Sequence, residues 1–209
     1  MKTGPTQHVP PVQDLDRVDA VLLGLLAAMG EEVLRTKMVK LTYLLDDLSF
    51  RHDDVTITGF DYHWDHHGPN AVGNEIVKRL DAMSQRGLAL TREILVPSGY
   101  RARGYQIADR VEIANLPLTV DDWALIHSVV YTYGRMSRAD IIRASKQTIP
   151  MQNAKQYQRI EFRRDPDIDA LKRSFLDDPG FLEMIMTAAD SERITFEELR
   201  EVVAKSTDL

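Results

Sequence analysis

The sequence predicts an α+β protein that is mainly α-helical, with a winged-helix-like N-terminal half carrying a small antiparallel sheet and a helical C-terminal half. Apolar residues recur at helical spacing in three segments of residues 15–86. Residues 55–64 alternate with a period of two, and two strand-like runs, 88–96 and 100–107, flank the turn-forming sequence Pro97-Ser98-Gly99. The resulting order of helix, helix, strand, helix and hairpin is that of a winged helix-turn-helix, although other small α+β folds share it.

Composition restricts the class of protein. The 209 residues are 44% hydrophobic and 28% charged, which allows a sizeable core in a soluble protein, and the net charge is −6. That charge argues against nonspecific nucleic-acid binding by the whole surface but allows local basic patches. No cysteine is present, which excludes disulfides, thiolate nucleophiles and cysteine-ligated zinc, and suits a reducing cytoplasm. The apolar run at residues 20–29 is too short to span a bilayer, so we expect neither a signal peptide nor a membrane anchor.

Two amphipathic helices are predicted near the N-terminus. The first covers residues 15–29, with Asp14 or Asp16 near its start and Gly30 as its stop. The second, residues 34–48, organises the rest of the chain because an apolar stripe runs along it, formed by Leu34, Met38, Leu41, Leu45 and Leu48. Its residues Lys37, Lys40 and Asp47 lie off the stripe and are predicted to meet solvent or a partner.

The next segment is predicted to be a strand followed by a third helix. A bulge at Gly59 would place five apolar residues on one strand face: Val55, Ile57, Phe60, Tyr62 and Trp64. Gly68-Pro69 would end the strand, and Asn70 would cap a helix over residues 70–86. That helix would bury Val72, Ile76, Leu80 and Met83, and Gly87 would close it in a left-handed conformation.

The second half is predicted to be helical. Thr119 with Asp122 and Ser137 with Asp140 are start signals for two helices, Gly134 ends the first of these, and Pro150 ends the second. Short helices are also predicted at residues 168–175, 181–188 and 196–203. We therefore predict a flexible tail at residues 1–13, a main domain at residues 14–154, and an acidic helical extension at residues 155–209.

Residues 135–164 form the most basic segment, with eight arginines and lysines against Asp140 and Glu161. It could bind nucleic acid, bind an acidic partner, or pair with the acidic residues that follow Asp165. We favour the last interpretation, because it requires no function.

Three runs resemble a known family. The run KMVKLTYLL at residues 37–45 resembles the K-L-x-Y-L helix of Panacea (SocA-type antitoxin-associated) domains and their YwgA-like relatives. Residues 60–69 are similar to the aromatic strand and G-P turn of those domains, and residues 136–150 to their closing helix. This chain departs from the pattern at Met151, where the family has tryptophan, and at His67, where it has tyrosine or lysine.

The resemblance covers roughly residues 15–151 and implies a mainly helical α+β domain, found in bacteria or phages and often encoded beside a toxin. Such domains act by binding protein, so the resemblance implies no catalytic residue. We predict an antitoxin-like, cytoplasmic protein-interaction module that is not an enzyme, uses no cofactor and binds a partner protein, which could be a toxin encoded nearby. The predicted contact surface consists of Lys37, Lys40, Tyr43, His66, His67, Gly68, Pro69 and Asn70.

Two alternatives stay open. In a winged-helix DNA-binding regulator, Asn74, Lys78 and Arg79 would enter the major groove, while Arg92, Arg101 and Arg103 would contact phosphates. In a metal-dependent hydrolase, the ligands would be His63, His66 and His67, beside Asp61 and Asp65. No H-E-x-x-H sequence is present, and a polar strand face followed by a turn explains these histidines more simply.

Overall fold

The computed structural model describes residues 15–95, 99 and 101–163, and it confirms a mainly helical α+β protein. The helices and strands are α1 Arg17–Met29, β1 Val33–Leu34, α2 Arg35–Asp53, β2 Tyr62–Asp65, β3 Gly68–Ala71, α3 Glu75–Gln85, β4 Ala89–Leu95, β5 Arg101–Ile107, α4 Val120–Tyr133, α5 Arg138–Lys146, α6 Ile149–Asn153 and β6 Arg159–Ile160. Short 3-10 turns cover Val72–Asn74 and Ile113–Asn115. None of the described helices is long and apolar enough to cross a membrane.

Helix α1 begins and ends where its local sequence signals predict. The Asp16 carboxylate accepts a hydrogen bond from the backbone N–H of Asp19 at 2.8 Å, which satisfies one of the N–H groups left open at the helix start. Gly30 closes the helix with φ of +66°, a conformation that costs glycine little. Four leucines of α1 are fully buried: Leu22, Leu23, Leu25 and Leu26.

Helix α2 lies at the centre of the fold. It contacts α1 and α4 as well as β3 and α5, so neighbours cover it on several sides. Met38, Leu41 and Leu45 of the predicted stripe are fully buried. The expectation that Lys40 and Asp47 meet solvent is wrong, because both residues are buried, each with 3% of its surface exposed. A helix covered on several sides buries its polar positions along with its apolar stripe.

The first antiparallel sheet has the strand order β1-β5-β4. The predicted pairing of the two hairpin strands is confirmed, with Ala89 opposite Ile107 and Leu95 opposite Arg101, while Pro97 and Ser98 of the predicted turn lie outside the described residues. Strand β1 pairs with β5 through Val33 opposite Tyr105. This short strand lies between the first two helices and is absent from the predicted order of elements. The winged-helix assignment itself stays a prediction.

The second sheet, of order β3-β2-β6, differs from the prediction. Residues 56–61 form no strand, and Val55 is 65% exposed, so the predicted strand begins only at Tyr62. Gly59 takes φ of +68° within this irregular segment, outside any strand. Gly68 and Pro69 do not end the pairing: they lie in β3, with Pro69 opposite Trp64. Proline is tolerated there because β3 is an edge strand of the described sheet and needs no N–H for a further neighbour.

A buried carboxylate fixes the irregular segment before β2. Asp46 of α2 is fully buried and accepts hydrogen bonds from the Thr58 backbone N–H at 2.8 Å, from the Thr58 hydroxyl, and from the Tyr62 hydroxyl at 2.6 Å. Burial raises the pKa of Asp46 to about 6, against the opposing effect of these hydrogen bonds. One side chain of α2 therefore replaces the strand pairing that residues 56–61 lack.

Helix α3 starts later than predicted. It begins at Glu75, after a 3-10 turn, and Val72 is 52% exposed. Asn70 does not cap the helix, because it lies in β3 opposite His63. Ile76, Leu80 and Met83 are buried as predicted, and Gly87 takes the predicted left-handed conformation with φ of +68°.

In the second half, the Thr119–Asp122 capping box is confirmed, and Ser137 caps α5. Pro150 sits in the first turn of a further helix, α6, where its missing N–H is not needed. The chain then returns to β2 through β6, with Ile160 opposite Tyr62.

The residues after α6 belong to the first compact unit as far as Arg163. The Phe162 ring packs against Tyr43 and Tyr62, with centroids 5.8 Å and 6.0 Å away. The extension predicted from residue 155 thus begins with residues that complete the core. The rest of that extension, its predicted helices and the tail at residues 1–13 lie outside the described residues.

Candidate functional site

A cleft of about 520 Å³ opens beside the first turns of α2. Its walls come from α2, from the β2–β3 hairpin, from the β4–β5 hairpin and from the first turn of α5. Leu34, Val39 and Ala102 contribute apolar surface to this lining. A volume of this size is typical of ligand-binding clefts.

The lining of the cleft is strongly basic. Among residues 15–95, 99 and 101–163, five cationic side chains contribute to it: Arg35, Lys40, Arg101, Arg103 and Arg138. Asp65 and Glu93 are the carboxylates among the described lining residues, so in that part of the lining cations exceed carboxylates by three, in a chain whose net charge is −6. Such a local excess raises the concentration of anionic groups near the cleft.

The arginines from β5 form surface ion pairs. Arg101 contacts Glu93 at 3.0 Å, and Arg103 contacts Asp81 of α3 at 2.7 Å. Exposed pairs of this kind contribute little to stability and can exchange partners when an anionic ligand arrives. Arg35 donates to the side-chain oxygen of Asn74 at 3.3 Å, a long hydrogen bond at the surface.

Lys40 is the buried cation among the described residues of the cleft lining. Its residue is 3% exposed, and its ammonium group donates to the carbonyl oxygen of Pro69 at 2.5 Å. Burial lowers the pKa of Lys40 to about 8; Asp65 opposes this shift and Lys146 adds to it. The hydrogen bond ties α2 to β3, so the same side chain holds the cleft wall and supplies charge to it.

The β2–β3 hairpin presents Asp65 as an ionised carboxylate. The backbone N–H of His66 donates to it at 2.7 Å and the side chain of Asn70 at 3.4 Å, and the first of these bonds is the main reason that its pKa is lowered. The cleft therefore contains a fixed negative charge among its cations.

The predicted contact residues separate into those at the cleft and those away from it. Lys40, His67 and Asn70 line the cleft, while Gly68 and Pro69 are buried in β3. His66 is exposed and packs edge-to-face against Tyr157, with the two ring centroids 5.4 Å apart.

Lys37 and Tyr43 do not belong to the cleft lining. The Lys37 ammonium donates to the Gly134 carbonyl at 2.8 Å, and the fully buried Tyr43 hydroxyl lies 2.7 Å from the Thr148 hydroxyl. Both side chains tie α2 to the second half of the chain.

Two of the residues proposed to read DNA are held by intramolecular contacts. Arg79 contacts Asp16 at 2.7 Å and Asp19 at 2.9 Å, and its Nε lies 3.4 Å from Glu75. Asn74 accepts hydrogen bonds from Arg35 and Asn70. Lys78 is exposed on α3.

The predicted histidine cluster does not converge. His63 lies opposite Asn70 and Arg159 within the second sheet, His66 contacts Tyr157, and His67 lines the cleft. Asp61, the nearby carboxylate, pairs with Arg159. Within residues 15–95, 99 and 101–163, no three histidines or carboxylates are grouped so as to hold a metal ion.

Sequence reasoning missed Arg35, and it gave Arg138 a binding role only within two of the three interpretations of the basic segment. Arg35 is the first residue of α2 and directly follows Leu34 of the apolar stripe, and Arg138 belongs to the basic segment at residues 135–164. The density of basic residues in that segment was the available signal. Arg35 and Arg138 line the same cleft because α5 packs against α2.

Comparison of the chain with protein-family models, with curated proteins and with solved structures finds no match.

Proposed function

We propose that this protein is an antitoxin-like interaction module of the cytoplasm, and that it binds and neutralises or presents a partner protein through the basic cleft. The supporting observation is the meeting of Lys40, His67 and Asn70 with Arg35, Arg101, Arg103 and Arg138 around one concave surface. Arginine is enriched at the residues that dominate protein interfaces, and the cleft offers several arginines within reach of one ligand.

The proposal is tested with the open reading frame beside the gene. If that frame is toxic, co-expression of this protein is expected to restore growth and to yield a co-purifying complex. Arg35→Glu with Arg138→Glu would place two negative charges in the cleft, so we expect at least about tenfold weaker partner binding and loss of rescue.

The matched control is Arg92→Glu with Arg163→Glu, which changes the net charge equally at exposed residues outside the cleft lining. It should rescue growth as the wild type does. Rescue by the cleft variant at wild-type level would contradict the proposal, as would the absence of any complex.

A winged-helix DNA-binding regulator is the second candidate. The strand order β1-β5-β4 and the exposed Lys78 on α3 favour it. The carboxylates of Asp16 and Asp19 weigh against it, because they already neutralise Arg79, which would have to contact DNA.

Substitutions of the neighbours Lys78 and Arg79 separate a DNA-binding role from a structural one. We expect Arg79→Ala to lower the free energy of unfolding by about 1–2 kcal/mol, since it removes a partly buried cation that joins Asp16 and Asp19 to α3. Lys78→Ala should leave stability within about 0.5 kcal/mol of the wild type. Urea unfolding measures both changes. Salt-sensitive retention of an operator fragment that Lys78→Ala abolishes would favour the DNA-binding candidate over the protein-binding one.

A further inference from the structure

The cleft combines cations, fixed carboxylates and apolar surface, and this combination indicates what it binds. We infer that its occupant is an acidic peptide segment of the partner protein, in which carboxylate side chains flank an apolar residue. This inference rests on the proposed function, since it names the chemistry of the partner at that same site.

The arginines supply the recognition of carboxylates. Arg35 is the first residue of α2 and Arg138 the first of α5, so two separate elements bring guanidinium groups to the cleft. A planar guanidinium binds a carboxylate through two parallel hydrogen bonds, which fixes the direction of the ligand as well as its charge. Lys40 adds a point charge at the wall nearest β3.

The two carboxylates among the described lining residues favour a peptide over a phosphate. Asp65 is ionised and Glu93 lies beside Arg101, so a compact polyanion would meet repulsion as well as attraction. A peptide carries backbone N–H groups that can donate to these carboxylates while its acidic side chains bind the arginines. The mixed charge of the lining therefore matches the mixed polarity of a peptide backbone with acidic side chains.

The apolar part of the lining favours a peptide over a nucleic acid. Leu34, Val39 and Ala102 provide a small aliphatic surface that an apolar side chain can cover. The lining, within the described part of the chain, contains no phenylalanine, tyrosine or tryptophan on which a base would stack. A single apolar residue between two acidic ones fits this arrangement.

The inference is tested with full-length protein and a fluorescein-labelled peptide of sequence Gly-Glu-Leu-Glu-Gly, read by fluorescence polarisation. The matched peptide Gly-Gln-Leu-Gln-Gly lacks only the charges. We expect the acidic peptide to bind at least about tenfold more tightly than the neutral one, and less tightly as salt rises from about 50 mM to about 300 mM. Arg35→Gln with Arg138→Gln should weaken binding of the acidic peptide at least about tenfold.

The control variant, Arg92→Gln with Arg163→Gln, should bind the acidic peptide within about twofold of the wild type. Equal binding of the two peptides, an equal loss in the control variant, or displacement by inorganic phosphate or a short oligonucleotide as effective as the peptide would overturn the inference. A partner that binds through the cleft but is not displaced by the acidic peptide would overturn it and leave the proposed function standing. Peptide binding as expected without any captured partner would support the acidic specificity and contradict the proposed function.

Discussion

Replacement of Asp46 by alanine is expected to lower the free energy of unfolding by about 3 kcal/mol at mildly acidic pH. The variant leaves three buried donors without their acceptor: the Thr58 backbone N–H, the Thr58 hydroxyl and the Tyr62 hydroxyl. Each buried donor that loses its partner costs about 1–3 kcal/mol, partly recovered where water enters. Urea unfolding at about pH 4.5 measures the loss, and Asp53→Ala, an exposed change in the same helix, is the control.

The same variant carries a signature in its pH dependence. Because burial raises the pKa of Asp46 from 3.8 to about 6, the folded state holds this proton more tightly than the unfolded chain does. The corresponding stability is present in acid and is lost as pH rises through about 6. The difference between wild type and Asp46→Ala should therefore shrink by about 2 kcal/mol between about pH 4.5 and about pH 7. A difference that stays constant over this range would show that Asp46 is not held as a buried carboxyl.

Local signals in the sequence predict both ends of α1 and the starts of α4 and α5, whereas Asn70 does not start α3 and Pro150 lies inside α6. Asp16, Gly30, Thr119 and Ser137 act at the positions expected of them, because a cap satisfies backbone groups within three residues of itself. The hairpin of β4 and β5 is predicted equally well, since its turn and its strands lie together in the chain. Structure that depends on neighbouring residues is thus largely readable from the sequence.

The second sheet could not be predicted in the same way. The alternation over residues 55–64 indicates one strand. In the fold, the Asp46 carboxylate of α2 accepts a hydrogen bond from the Thr58 backbone, and only the end of the predicted strand, β2, pairs with other strands. Gly68-Pro69 is an ordinary turn signal that becomes an edge strand because β2 lies beside it. The first outcome depends on Asp46, which lies in another element, and the second on a tight turn at His66 and His67 that has no glycine, proline or asparagine to mark it.

The candidate site depends on tertiary contacts to the same degree. Periodicity placed Lys40 on the outer face of its helix, whereas β3 covers it and Pro69 accepts its hydrogen bond. Arg79 has the pattern of a solvent-facing cation, yet α1 brings two carboxylates to it. Helical spacing identifies the face of a helix that a core covers, but it does not say what else packs against the other faces.

Replacement of Lys40 by methionine is expected to raise the free energy of unfolding by about 2 kcal/mol at pH 7. The pKa of Lys40 falls from 10.5 to about 8 on folding, so at pH 7 the folded state bears the cost of burying a charge that the unfolded chain keeps in water. Methionine has a similar length and no charge. The Pro69 carbonyl loses its hydrogen-bond donor in this variant, which reduces the gain in the free energy of unfolding. Urea unfolding measures the change, with the exposed Lys78→Met as control.

The pH dependence of the stability of Lys40→Met tests whether the buried charge of Lys40 is the cause of the difference from the wild type. The wild type should gain stability as pH rises from about 8 to about 10, because the buried amine is already neutral while the unfolded chain still releases its proton. The methionine variant should lack this rise, so its advantage should disappear at the alkaline end. We also expect Lys40→Met to bind the acidic peptide less tightly, so that the variant gains stability and loses binding affinity at the cleft. A variant that is less stable than the wild type at pH 7 would instead mean that the hydrogen bond to Pro69 outweighs the cost of the buried charge.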